Sequence, residues 1–130
     1  MKKCSVIFRS LILVLLLVLP LPLPAADTGN TAENEITFLL EYIKTSGCTF
    51  QRNGAWFTAV DAAEHINKKY LYFLKQGKIT TAEDFIQYAA STSSVSGKAY
   101  TVHCRDGARI ESAKWLTATL KILRAKSGNL

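Results

Sequence analysis

Proline is almost missing from this chain, cysteine is scarce, and the familiar catalytic signatures are absent. There is no HExxH helix, no glycine-rich phosphate loop and no G-x-S-x-G elbow. Nor is there an SxxK pair, because Lys98 follows Ser94 by four residues and Ser96 by two. No internal repeat and no second domain are visible. A dense basic face with aromatics between the charges, as a nucleic-acid surface needs, is missing too. These absences remove most ready-made enzyme classes and leave a small single domain whose sequence names no activity.

The three prolines fall at positions 20, 22 and 24, and what surrounds them reads as an export signal. Lys2, Lys3 and Arg9 make a positive start, Leu11 to Leu19 an apolar core, and the prolines end any helix before the small residues Ala25 and Ala26. The uncharged run from Ser10 to Ala26 is 17 residues, at the short edge of what spans a bilayer. A signal peptide over 1–26, cleaved after Ala25 or Ala26, is therefore expected. Cys4 lies before the apolar core and leaves with the signal.

The remaining 27–130 suffices for one domain around a single core. Three of the 16 Lys and Arg lie in the signal and none of the 10 Asp and Glu, so the net charge falls from +6 to +3. That charge allows weak attraction to an anionic surface without demanding it.

Two cysteines survive, Cys48 and Cys104. In an oxidising compartment an even pair reads as a disulfide. Closing a loop of 57 residues, both ends counted, is worth about 4 kcal/mol on the chain-entropy estimate.

Along the domain, Asp27 to Thr31 is a polar lead-in. A first helix is predicted over about 32–45, with Ile36, Leu39, Leu40 and Ile43 as its apolar stripe. Asn53-Gly54 then favours a type I′ turn, so 48–52 and 55–57 form a short hairpin. Thr58 with Asp61 starts a second helix to about Gln76. Ala59, Ala63, Ile66, Tyr70, Phe73 and Leu74 are its expected inner face, and Asp61, His65, Lys68, Lys69 and Tyr72 its outer one. Asp61, four residues before His65, could orient that imidazole. Thr80 and Glu83 form a capping box for a third helix that turns Phe85, Ile86 and Ala89 inward.

Ser91 to Ser96 breaks the periodicity. Hydroxyl side chains compete for backbone bonds, so the run is a helix-ending loop or a ledge of hydroxyls beside Gly97. From Ala99 to Cys104 the residues alternate, with Tyr100, Val102 and Cys104 on one face. Asp106-Gly107 is a second turn. A last helix from near Ser112 buries Trp115, Leu116, Leu120 and Leu123, and its terminal basic residues suit the helix dipole. A metal site would have to draw on His65, His103 and scattered carboxylates, without thiols. Glu83, Asp84 and Glu64 could act as paired carboxylates on an envelope glycan, but adjacent acids in a helix's first turn are more simply dipole partners.

At this point the motifs carry a resemblance. Cys48 to Trp56 (CTFQRNGAW), Ala62 to His65 (AAEH) with Lys69, Ala82 to Ile86 (AEDFI), Ser93 to Gly97 (SSVSG), Tyr100 to Cys104 (YTVHC) and Ser112 to Leu116 (SAKWL) look like the YfeK-like family of small exported bacterial proteins. The resemblance implies a Gram-negative envelope protein and a compact α+β domain, without an activity. Its motif positions are Arg52, Asn53, Gly54, His65, Lys69, Ser94, Ser96, Gly97 and Tyr100. A shorter likeness, Ser96 to Tyr100 (SGKAY), is similar to the SGxxY loop of periplasmic inhibitors of c-type lysozyme, which are β-barrels.

The expectation is an α+β domain of about four helices on a short antiparallel sheet or hairpin, tied by Cys48–Cys104. Its expected role is a non-catalytic binding or envelope-accessory domain using Arg52, His65, Ser94, Ser96 and Gly97, with no cofactor, metal or catalytic residue assigned. The partner is an envelope protein or a glycan and not a nucleic acid, and the membrane is met only through an uncleaved signal. The alternatives are a wall-acting hydrolase or transferase with His65 as base, a lysozyme-inhibitor-like protein, and a structural accessory held at the membrane.

Overall fold

The computed structural model describes residues 28–128 and, isolated before them, Leu21, with side chains described from Thr31 onward. The expected signal peptide and Cys4 lie outside the described residues, Leu21 excepted. The elements run α1 (Thr28–Thr45), β1 (Thr49–Arg52), β2 (Ala55–Phe57), α2 (Ala59–Lys75), α3 (Ala82–Ala89), β3 (Thr101–His103), β4 (Ile110–Glu111) and α4 (Ser112–Ser127). This is the expected α+β class: four helices and a four-stranded antiparallel sheet, with Cys48 bonded to Cys104.

The sheet order is β2-β1-β3-β4. Register sets the two faces, because residues directly opposite one another point the same way. Phe57, Phe50 and Val102 form one row, and Phe50 and Val102 are buried. Trp56, Gln51 and Thr101 form the next row on the opposite, solvent side. The disulfide joins the residue before β1 to the residue after β3, covalently closing the central strand pair at one end.

The helices cover the inner face. Ile36, Leu39 and Ile43 of α1, Ile66 of α2, Phe85 and Ile86 of α3, and Leu116 and Leu120 of α4 meet in one core. Trp115 of α4 bridges helix to sheet, its ring centroid 4.9 Å from Tyr42 and 5.6 Å from Phe50. Burying each such large side chain stabilises the fold by about 1.5–3 kcal/mol. No helix among the described residues is long and apolar enough to cross a membrane.

Four sequence expectations change. First, α1 begins at Thr28, so 28–31 of the expected polar lead-in form its first turn. Second, the α3 cap is Thr81 with Asp84, not Thr80 with Glu83. The aspartate accepts from both Thr80 and Thr81 backbone N–H groups, which holds its carboxyl below the usual carboxylate range. Glu83 is left for another partner. Third, Leu74 is 42 % exposed rather than core, while its neighbour Phe73 packs on Tyr88. Fourth, His65 and Lys69 do not face open solvent. Both are half-buried, because the hairpin and the segment around Tyr100 close over that side of α2.

Candidate functional site

The site grows from the β1–β2 turn. Asn53 and Gly54 take φ of 51° and 80°, the left-handed pair a type I′ turn requires. That tight reversal fixes Arg52 two residues beyond Phe50, on the inner face, with its guanidinium 4.7 Å over the Phe57 ring. There it meets α2. Arg52 Nη1 donates to His65 Nδ1 at 2.6 Å. Arginine can only donate, so Nδ1 is an acceptor and the proton of the neutral ring sits on Nε2. From Nε2 it points to Tyr100 Oη at 3.2 Å.

The same hydroxyl accepts from Lys69 Nζ at 3.2 Å, and Lys69 also donates to the Thr92 carbonyl at 2.6 Å. Arg52, His65, Tyr100, Lys69 and Thr92 thus form one hydrogen-bonded chain from the hairpin, across α2, to the base of the serine loop. Electrostatics follow from this crowding. His65 is held below its ordinary value first by burial and then by the charges of Arg52, Lys69 and Lys68. Lys69 is lowered by burial and by Arg52. Burial raises Tyr100, against the pull of Arg52.

Asp61 was expected to orient His65; instead both ring nitrogens are taken by Arg52 and Tyr100. The Asp61 backbone N–H donates to the capping Thr58 hydroxyl, and its carboxylate stays exposed. Among the described residues the imidazole makes no hydrogen bond to a serine; it is linked to the loop through Tyr100 and Lys69. His103 is on the outer sheet face beside Trp56, and among the described residues no group of three or more His, Cys, Asp or Glu could hold a metal ion.

Beside Arg52 and His65 lies a cavity of about 260 Å³, whose walls include Phe50, Phe57, Asp61, Glu64, Lys68 and Tyr100. A shallow groove of about 440 Å³ between α1 and α2 shares Glu64 but none of the Arg52 network.

The serine loop is a second, adjoining feature. Buried Ser93 is its hub: the hydroxyl accepts from Asn53 Nδ2 at 3.1 Å, from Val95 N at 3.3 Å and from Ser96 N at 3.4 Å. Ser96 Oγ donates to Asn53 Oδ1 and accepts from Lys98 N. Backbone bonds from Gly97 N to Ser93 O and from Ser93 N to Lys98 O close the turn. Gly97 has φ of +69°, where a side chain would be strained. Ser94 is exposed and makes no hydrogen bond among the described residues. At the tip Val95 is 94 % exposed.

Of the expected site residues, then, Arg52 and His65 share one cavity, while Ser96 and Gly97 build the neighbouring loop that leaves Ser94 free at its rim. Asn53, Lys69, Ser93 and Tyr100 tie the two together and were not among them. Asn53, Lys69 and Tyr100 are motif positions and Ser93 lies within the SSVSG stretch; the His65–Lys69 spacing of one helical turn was the available signal.

Fold and site together define a small disulfide-bonded α+β domain with a cavity lined by charges of both signs beside a braced loop. A model described as a family of unknown function (DUF5329) matches residues 30–124, and the chain belongs to that family. No curated protein and no solved structure matches the chain.

Proposed function

We propose that this chain is an exported, non-catalytic accessory domain of the bacterial envelope, YfeK-like in the narrower sense, that docks onto a partner protein through the loop 91–97. One observation carries the reading. Val95 stands 94 % exposed on a loop whose neighbouring polar groups are bonded to Ser93, Asn53 and Lys98. A loop braced in advance loses little conformational entropy on binding, and a convex apolar tip suits a cleft in a protein better than a glycan. Engagement of both His65 nitrogens speaks against a general base, and a disulfide suits an oxidising compartment.

The test is capture from envelope extract with the oxidised protein, comparing wild type with Val95→Asp and Ser96→Ala, followed by titration of the captured protein with purified components. The reading requires a single partner whose affinity falls at least about tenfold, or about 1.4 kcal/mol, with Val95→Asp while thermal stability is unchanged. Equal binding by both loop variants and wild type removes it.

A further inference from the structure

We propose that the cavity between the hairpin and α2 is a binding site for a small zwitterion, a free α-amino acid or a dipeptide with unblocked ends. The site lies apart from the Val95 tip and does not depend on a partner docking there.

Several charges around this cavity lack an ion-pair partner among the described residues. The Arg52 guanidinium is half-buried, donates to His65 and lies over the Phe57 ring, and neither it nor Asp61, Glu64 or Lys68 takes part in the salt bridges seen among those residues, Lys114–Glu111, Arg124–Glu35 and Arg124–Glu83. All four line the same cavity of about 260 Å³. The wall thus carries two cations and two anions, with His65 neutral between them, and so matches a ligand of zero net charge that bears both signs. A simple anion such as phosphate would gain from Arg52 and Lys68 but face Asp61 and Glu64.

The charges are also sorted along the wall. Asp61 and Glu64 occupy the first turns of α2, and Lys68 lies one turn beyond His65. Arg52 meets this stretch at its middle, its Nη1 2.6 Å from His65 Nδ1. A ligand ammonium therefore belongs at Asp61 and Glu64, and its carboxylate at the fork of Arg52, where two parallel N–H donors suit a carboxylate. From Asp61 to Lys68 the helix rises about 10 Å. An extended dipeptide covers about 7 Å and lies within that span. Phe50, Phe57, Ala62 and Ile66 offer apolar wall for small side chains, while the volume sits at the low end of ligand pockets and excludes long peptides.

The experiment is titration of the oxidised full chain with alanyl-alanine, followed by calorimetry and by the ring resonances of His65 and Tyr100. N-acetyl-alanyl-alanine, alanyl-alanine amide, acetate and inorganic phosphate are the comparison probes. Saturable binding of the dipeptide, weakened about tenfold or more by blocking either end, is expected. Arg52→Gln should remove discrimination at the carboxylate end, and Glu64→Gln with Asp61→Asn at the ammonium end. Because Arg52 is braced against Phe57, the exposed Asp61/Glu64 pair keeps the test decisive if Arg52→Gln loses the fold. No saturation at millimolar dipeptide, or equal binding of acetate, phosphate and the acetylated peptide, overturns the proposal. Val95→Asp should leave dipeptide binding intact, so failure here and failure of the loop reading are separate results.

Discussion

Arg52 places its guanidinium 2.6 Å from the unprotonated Nδ1 of His65. Protonating that nitrogen would set two cations against each other and remove the acceptor Arg52 relies on. His65 should therefore titrate below the ordinary imidazole value of about 6.5. A folded-state value below the unfolded one means that the unfolded chain binds the proton first. The contribution of His65 to stability is full above the unfolded value and is lost as pH falls through the folded one. A ring-resonance titration of wild type and Arg52→Gln checks this. The variant should move the His65 midpoint up, without restoring it fully, because burial remains the larger cause. An unmoved midpoint contradicts the geometry.

Arg124 clamps three helices. Its Nε and Nη2 bond Glu35 of α1 at 2.7 and 2.9 Å, and the same guanidinium reaches Glu83 of α3. Glu83 is held below its usual range chiefly by the hydrogen bond from Arg124. Since the arginine is 46 % exposed on its side chain, water and salt screen the pair. Arg124→Met should cost only about 1 kcal/mol at low salt and less at high salt. The share of the loss that Glu83 carries should vanish as pH falls through its folded value, because a depressed carboxylate stabilises only while ionised. Urea unfolding at two salt concentrations and two pH values measures all three effects.

Ser112 opens α4 fully buried, and its hydroxyl has no hydrogen-bond partner among the described residues. A buried hydroxyl without a partner costs free energy that alanine does not. Ser112→Ala should raise stability by about 1 kcal/mol, read as a higher thermal midpoint. A drop of that size would mean that the hydroxyl is satisfied by ordered water.

The Cys48–Cys104 bond closes a loop with a sequence separation of 56. Replacing both cysteines with alanine should cost about 4 kcal/mol, a large share of the total for so short a chain. Chemical denaturation of the double variant against the oxidised parent gives the difference directly. Equal stabilities would show that the reduced chain is already as constrained as the oxidised one.

What could be read from the sequence was local or set by counting. Asn53-Gly54 specifies its turn by backbone preference alone, Thr58 caps α2 through a hydroxyl three residues from its donor, and two cysteines in a small domain leave one pairing. What escaped depends on segments far apart in the chain. Helical spacing placed His65 and Lys69 away from the apolar stripe, correctly, but only the folded hairpin and Tyr100 turn that flank into a half-buried site. Thr80-Thr81 followed by Glu83-Asp84 offers two overlapping caps, and periodicity does not choose between them. The shorter acid wins because one carboxylate serves both threonines. Arg124 looked sufficient as a helix-end charge until Glu35 and Glu83 arrived beside it from two other helices. Tyr100 reads as core and is core, yet its hydroxyl is also where His65 and Lys69 converge.

The sheet's outermost strands are among its shortest, three residues in β2 and two in β4. Open strand borders recruit other chains by continuing the backbone ladder, and borders this brief give a newcomer almost no register to copy. Strand-swapped or fibrillar association is thereby discouraged. Contacts with other molecules are left to side-chain chemistry rather than main-chain pairing.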